Sequence, residues 1–268
     1  MTVIVVPYHQ DERLGEDRIP VPIAEEFLLV DPELPDGDVW RRLAALYDSA
    51  ADQIAAAIRV GGPVTVLSGD CLVAMAVQAG AQRAGAYPGI VWFDAHGDVH
   101  TLDTTTSGYL GGLSLRLVLG AHPDLLGRPL GLEPIAESRT VLVDARDLDP
   151  PEVEYLAASS VRRSAVVDLN GASIPDGPLI VHVDVDVTDP SELPGLLFPA
   201  PGGPASADVV AAVRRVLATG RVTVLDIACP WHPTTEPRVQ QIRADLVCAL
   251  LSGRASGAES GPAGFHGN

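Results

Sequence analysis

The stretch Ile90-Val91-Trp92-Phe93-Asp94-Ala95-His96-Gly97-Asp98 decides how this chain folds. Ile90 to Phe93 is a short apolar run of β-branched and aromatic residues, the pattern of a buried strand. Asp94, His96 and Asp98 then follow at i, i+2 and i+4. Side chains alternate along a strand, so this spacing aims all three at one face just past its end. Charged groups crowded beside an apolar strand are costly unless a cation compensates them. Two carboxylates and an imidazole suit divalent Mn, Zn or Fe. On this stretch alone, the alternative is an Asp-rich turn whose carboxylates cap a helix.

A second stretch, Leu179-Ile180-Val181-His182-Val183-Asp184-Val185-Asp186-Val187-Thr188-Asp189-Pro190, repeats the design. Here an apolar strand ends in Asp184 and Asp186. Two such strand ends, five ligand-type residues in all, point to a two-metal cluster with bridging carboxylates.

The 268 residues suffice for one large α/β domain, and 47% of them are hydrophobic, enough for a sizeable core. No segment has the apolar length of a membrane span. Met1 to Tyr8 reads as a first strand and not as a signal peptide. Three cysteines (Cys71, Cys229, Cys248) then suit a reducing, cytoplasmic setting better than a disulfide framework. A formal net charge of −17 disfavours nucleic acid or an anionic membrane as partner. The expected partner is a small-molecule substrate.

Outward from the central strand, Val3–Val6, Val64–Leu67, Val141–Val143, Val166–Leu169 and Val222–Ile227 read as further strands. Helices are expected over 39–60, about 72–84, 206–218 and about 236–251. Gly61-Gly62-Pro63 closes the first of these. Alternating strands and helices imply an α/β fold with a mostly parallel central sheet and helices on both faces. Its ligands are expected where strands run out. Residues 1–251 are read as one domain. The Gly/Ala/Ser-rich segment 252–268 is read as a disordered tail. The loop Thr104-Thr105-Thr106-Ser107-Gly108, rich in hydroxyls, suits a small polar ligand, though an ordinary flexible connection has the same composition.

At these residues the chain resembles the ureohydrolase family of arginase, agmatinase, guanidinobutyrase and formimidoylglutamase. Asp94-Ala95-His96-Gly97-Asp98 matches the family's Asp-Ala-His-x-Asp motif, and Asp184-Val185-Asp186-Val187-Thr188-Asp189-Pro190 matches Asp-Val-Asp-x-x-Asp-Pro. The loop 104–108 also matches the one found in arginases. The resemblance implies a three-layer α/β/α fold, a trimer or hexamer, and two Mn²⁺ per chain bridged by Asp94 and Asp184. His96 and Asp186 would complete one metal position, and Asp98 would serve the other. It implies hydrolysis of a guanidino or amidino C–N bond, on arginine or hydroxyarginine-type substrates, by a bridging hydroxide whose proton Asp98 holds or relays.

The chain departs from the family in four places. The His of a Gly-Gly-Asp-His motif is replaced by Cys71 in Ser68-Gly69-Asp70-Cys71. A thiolate there would favour Zn²⁺ or Fe²⁺; read alone, Cys71 is equally a small buried core residue. His100 stands where arginases carry a carboxylate-binding Asn, and Gly111 where they carry a proton-shuttling His. The acid that pairs with the guanidinium falls at Cys229 in Asp226-Ile227-Ala228-Cys229. His100, Thr105, Ser107, Cys229 and His232 are thus the candidate substrate-binding residues. Two other readings stand beside the amidinohydrolase: a metal-binding relative that no longer hydrolyses, and a mononuclear, deacetylase-like amide hydrolase.

Overall fold

The computed structural model describes residues 1–15, 18–21 and 26–255, with side chains to 252. The strands are β1 (Thr2–Val6), β2 (Tyr8–His9), β3 (Glu12–Arg13), β4 (Phe27–Leu29), β5 (Val64–Ser68), β6 (Gly89–Phe93), β7 (Thr140–Val143), β8 (Arg162–Ser164), β9 (Leu179–Asp184) and β10 (Val222–Ala228). The helices are α1 (Val39–Val60), α2 (Ala74–Arg83), α3 (Ser114–Val118), α4 (Gly127–Leu130), α5 (Pro150–Ala158), α6 (Ser206–Leu217) and α7 (Pro237–Ala255).

Period-two alternation builds three layers. Ile4, Val66, Ile90, Trp92, Leu142, Ile180 and Val224 point to one face of the sheet, where they pack with residues of α1, α2 and α3. Val3, Leu67, Val91, Phe93, Val141, Val181 and Leu225 point to the other face, against α6 and α7. Each fully buried aliphatic side chain contributes about 1.5–3 kcal/mol. Strands covered on both faces must be apolar throughout, which is why they read as unbroken runs. Asp38 caps α1 by accepting from the Arg41 amide at 2.9 Å, and Gly61 ends it at φ +92°, a conformation that costs glycine little.

Strand order across the main sheet is β4-β1-β5-β10-β9-β6-β7-β8, and its pairs are parallel. The chain leaves β5, skips two places to lay down β6, and later returns to fill the gap with β9 and β10. The carboxyl ends of these four strands therefore meet in the middle of the sheet, the place where open parallel sheets bind ligands.

Two expectations change. The strand expected at 166–169 lies earlier, at Arg162–Ser164. Val166 and Leu169 are buried while Val167 is 74% exposed, the burial pattern of a turn. That turn is held by the amides of Asp168 and Leu169 donating to the Ala165 carbonyl, each at 3.1 Å. The closing helix continues through Ala255, so the expected disordered tail beyond it falls outside the described residues.

Candidate metal centre and cavity

Asp94 and Asp184 occupy equivalent strand ends and do equivalent work on the backbone. Asp94 Oδ1 accepts from the His96 amide at 2.7 Å, and Asp184 Oδ1 accepts from the Asp186 amide at 2.8 Å. Asp94 thus closes a turn with no helix after it, the next helical residues being Gly111–Leu113, whereas Asp184 caps the short helical turn Val185–Val187; in both places the backbone role coexists with clustering. Each turn folds its i+2 side chain back over the sheet end. His96 Nδ1 lies 3.1 Å from Asp186 Oδ2 and 3.4 Å from Asp94 Oδ1. Asp94 Oδ2 accepts from Trp92 Nε1 at 2.9 Å, and the Cys71 thiol donates to Asp184 Oδ2 at 2.8 Å.

Two sets of donor atoms result, each within 4.8 Å: Asp94, His96 and Asp186, and Cys71, Asp94 and His182. They share Asp94, as a bridging carboxylate requires. Asp98, its φ at +53°, lines the same cavity as Cys71, Asp184 and Asp186.

The electrostatics are those of a cation site. Asp94, Asp98, Asp184 and Asp186 are all buried. Burial, reinforced by neighbouring carboxylates, pushes Asp98 and Asp184 well above the usual range. Burial and the Asp94 charge push Asp186 up to about 6, with His96 opposing. At Asp94 burial also pushes upward, but the His96 and Trp92 donors outweigh it and hold the carboxyl low. Burial works to lower His96, yet its contacts with Asp186 and Asp94 raise it to about 12. Burial and Asp184 push the Cys71 thiol up. Four buried carboxyls crowded round one imidazole are costly to ionise together without a compensating cation. A divalent cation would supply that compensation, and the O, N and S donors are of types such ions accept.

Above the cluster opens a cavity of about 290 Å³, near the lower end for ligand sites. Tyr109 and Phe198 form one wall, their rings 4.6 Å apart. Of the expected substrate residues, His100 and Ser107 line it. His100 Nε2 lies 3.1 Å from Asp149 Oδ2. Thr105 is not among the lining residues; its hydroxyl accepts from the Gly108 amide at 3.2 Å. Cys229 is buried in the core on the α6/α7 face, and Pro230 takes its place at the cavity wall. His232 is exposed, with its amide bound to the Gly195 carbonyl at 2.8 Å. Both residues follow β10, and of this segment only Pro230 reaches the cavity.

Asp147, Asp149 and Glu152 also line the cavity and were not anticipated. The signal was present: Asp147 and Asp149 repeat the i, i+2 acid spacing after β7, a third polar strand end. Arg146 was likewise unread. Its guanidinium donates to the carbonyls of Ala200 at 2.8 Å, Val187 at 3.1 Å and Asp186 at 3.3 Å, pinning the turn after β9.

A family model described as the Arginase family matches residues 29–251. The chain is 28% identical over 235 residues to the arginase of Bacillus subtilis (strain 168), covering 80% of this chain and 78% of that protein. It is 29% identical over 226 residues to the N(omega)-hydroxy-L-arginine amidinohydrolase of Streptomyces lavendulae, covering 80% and 77%. Identity to the arginase of Eremothecium gossypii is 31% over 192 residues, 66% of this chain and 48% of that protein; this match spans about half of the relative's length. Entamoeba histolytica arginase shares the fold at a TM-score of 0.77 and 19% identity, over 93% of this chain and 97% of that one. Among the described residues, no helix is long and apolar enough to cross a membrane. The chain belongs to the arginase family, the hydrolases that act on C–N bonds of linear amidines.

Proposed function

We infer that this protein hydrolyses a guanidino C–N bond of a small molecule, at a centre of two divalent cations. The single observation that carries this reading is the pair of three-donor sets sharing Asp94, at the floor of a small cavity. Cys71, Asp94, His96, Asp98, Asp184 and Asp186 would hold the cations, Mn²⁺ or, given the thiol, Zn²⁺ or Fe²⁺. When bound, such cations acidify water enough to supply hydroxide near neutral pH.

The chain's own groups do the rest. Asp98, on the cavity lining with Asp184 and Asp186, is placed to take a proton from attacking water and return it to the departing nitrogen. Tyr109 and Phe198 exclude solvent on one side and give the planar amidino group a flat surface. Asp147 and Asp149, with side chains 69% and 59% exposed, make the mouth acidic and suit a cationic ammonium at the far end of the substrate. A guanidino amino acid of the arginine or hydroxyarginine type satisfies both ends, and the names of the two bacterial relatives agree. The wall at Pro230 carries no acid, so the guanidinium lacks a carboxylate there. That observation favours a second reading, a relative that binds metal without turnover.

The test is elemental analysis of protein purified without chelator, followed by release of urea from arginine and of hydroxyurea from N-hydroxyarginine after Mn²⁺ or Zn²⁺ loading. Two cations per chain with turnover are expected, both lost in Asp94→Asn. Two cations with no turnover on any guanidino compound would support the second reading.

A further inference from the structure

At the centre of the sheet, Trp92, His182, Asp226 and Val66 stand side by side in register on β6, β9, β10 and β5. They lie on the face that packs under α1 and α2. Trp92 and Val66 obey the rule for that face, being apolar and wholly buried. His182 and Asp226 break it, although both are 0% exposed. His182 Nδ1 lies 2.7 Å from Asp226 Oδ2, and the imidazole stacks on Trp92 with ring centroids 3.7 Å apart.

Two atoms of this arrangement have no partner. His182 Nε2 and Asp226 Oδ1 are both buried with no hydrogen-bond partner among the described residues, and only Nε2 belongs to a group of clustered donors. With Nδ1–H donating to Asp226, the neutral imidazole presents a bare lone pair at Nε2. An unmatched buried polar atom is costly, and an apolar residue in the same layer would have avoided it. The surroundings supply a use: His182, Cys71 and Asp94 bring donor atoms within 4.8 Å of one another. A histidine whose second nitrogen is fixed by a buried carboxylate is also the usual form of a metal-binding imidazole.

We propose that His182 Nε2 is a ligand of the cation position between Cys71 and Asp94, with Asp226 as the positioning carboxylate that fixes its tautomer. This position is then held by sulfur, oxygen and nitrogen, and its imidazole rises from inside the sheet, not from a loop above it. The assignment rests on the two-cation reading given under Proposed function. It also gives a role to the carboxylate of Asp226, which is 0% exposed.

The experiment compares wild type with His182→Leu/Asp226→Val, which replaces the polar pair by apolar residues of similar volume. Removing both partners leaves no unpaired buried charge, so a pair kept only for structure can be exchanged with little loss. The readouts are Zn²⁺ per chain by elemental analysis, Zn²⁺ affinity by calorimetric titration, and the Co²⁺–thiolate charge-transfer absorption that reports a cation beside Cys71. The expected result is a folded variant, by circular dichroism and Tm of the chelated protein, that binds one Zn²⁺ instead of two and loses the thiolate band. Two Zn²⁺ bound with unchanged affinities would overturn the assignment. A wild type that binds fewer than two cations would instead overturn the two-cation reading. Should the double variant not fold, Asp226→Asn decides: loss of about 10–100-fold in affinity for one Zn²⁺ only is expected, and an unchanged affinity overturns the proposal.

Discussion

The indole of Trp92 shows how one side chain can serve both the core and the site. Its ring is fully buried, while Nε1 holds Asp94 Oδ2 at 2.9 Å. A carboxylate shared by both donor sets is useful only when its two oxygens are fixed, and Trp92 together with the His96 amide fixes them. Trp92→Phe keeps an aromatic body in the layer and deletes the donor. Cation affinity by titration calorimetry is expected to fall about 10–100-fold, the cost typical of losing a partner that orients a ligand. Unchanged affinity would show that Asp94 is positioned by its backbone contacts alone. The clustering of Asp94, His96 and Asp186 was legible because each motif sets polar side chains two residues apart at the end of an apolar strand. Cys229 continues the strand period one residue past β10 and so falls on the α6/α7 face with Leu225 and Ile227, while His232 lies beyond the sheet, where no period applies. The Cys229 amide is still tied to the Ser68 carbonyl at 2.9 Å, which turns its side chain into the core. His182 and Asp226 were in plain view, but a polar residue within an apolar run gives no hint of its partner on the next strand.

At the scale of elements, α5 is fastened to the loop after β6 by a single acid. Glu152 Oε2 accepts from the Asp149 amide at 3.1 Å, closing a capping box at the helix start, and Oε1 accepts from the Val99 amide at 3.2 Å. A methyl group at Gly97 would come within 2.7 Å of Glu152 Oε1, so the loop passes the helix start at glycine distance. Glu152→Ala strands two amides, each hydrogen bond to a charged acceptor contributing about 1.5–3 kcal/mol. A fall in Tm of at least about 6 °C is expected for a domain of this size. Glu152→Gln, which keeps a carbonyl acceptor, should lose about half as much in the same thermal scan. Equal Tm values for all three proteins would mean that the loop holds itself. The acid spacing of the capping box was readable in Asp149-Pro150-Pro151-Glu152, whereas its reach to Val99 was not, because it crosses between elements 53 residues apart. The same limit produced the misread strand at 166–169. A short stretch such as Val166-Val167-Asp168-Leu169 fits a strand or a turn equally well, and only the neighbouring core decides.

For the whole molecule, the parallel α/β architecture was legible because doubly covered strands must be unbroken apolar runs, but their order was not. Nothing in periodicity shows that β6 leaves two vacant places beside β5. That topology buries the acidic cluster at the middle of the sheet, and it couples global stability to pH and cations. Asp98, Asp184 and Asp186 all have folded-state pKa values raised chiefly by burial. The chelated native state therefore holds more protons than the unfolded chain above about pH 4. Their contribution is favourable in acid and is lost as pH rises, by on the order of 1.4 kcal/mol per pH unit for each excess proton. His96, raised to about 12, acts in the same direction. Its contribution is whole below the unfolded value of about 6.5 and fades as pH climbs. Carboxyls held low elsewhere, such as Asp31 and Glu137, weaken the fold in acid but do not touch the cluster. They cancel in a comparison with and without metal. Cation binding must expel the cluster's protons, including that of Cys71, so its stabilising effect grows with pH. The difference in Tm between Mn²⁺-loaded and chelated protein should thus be small at pH 5 and largest at pH 8. A difference that is flat, or greatest at pH 5, would mean that the buried carboxyls are not where the cations bind.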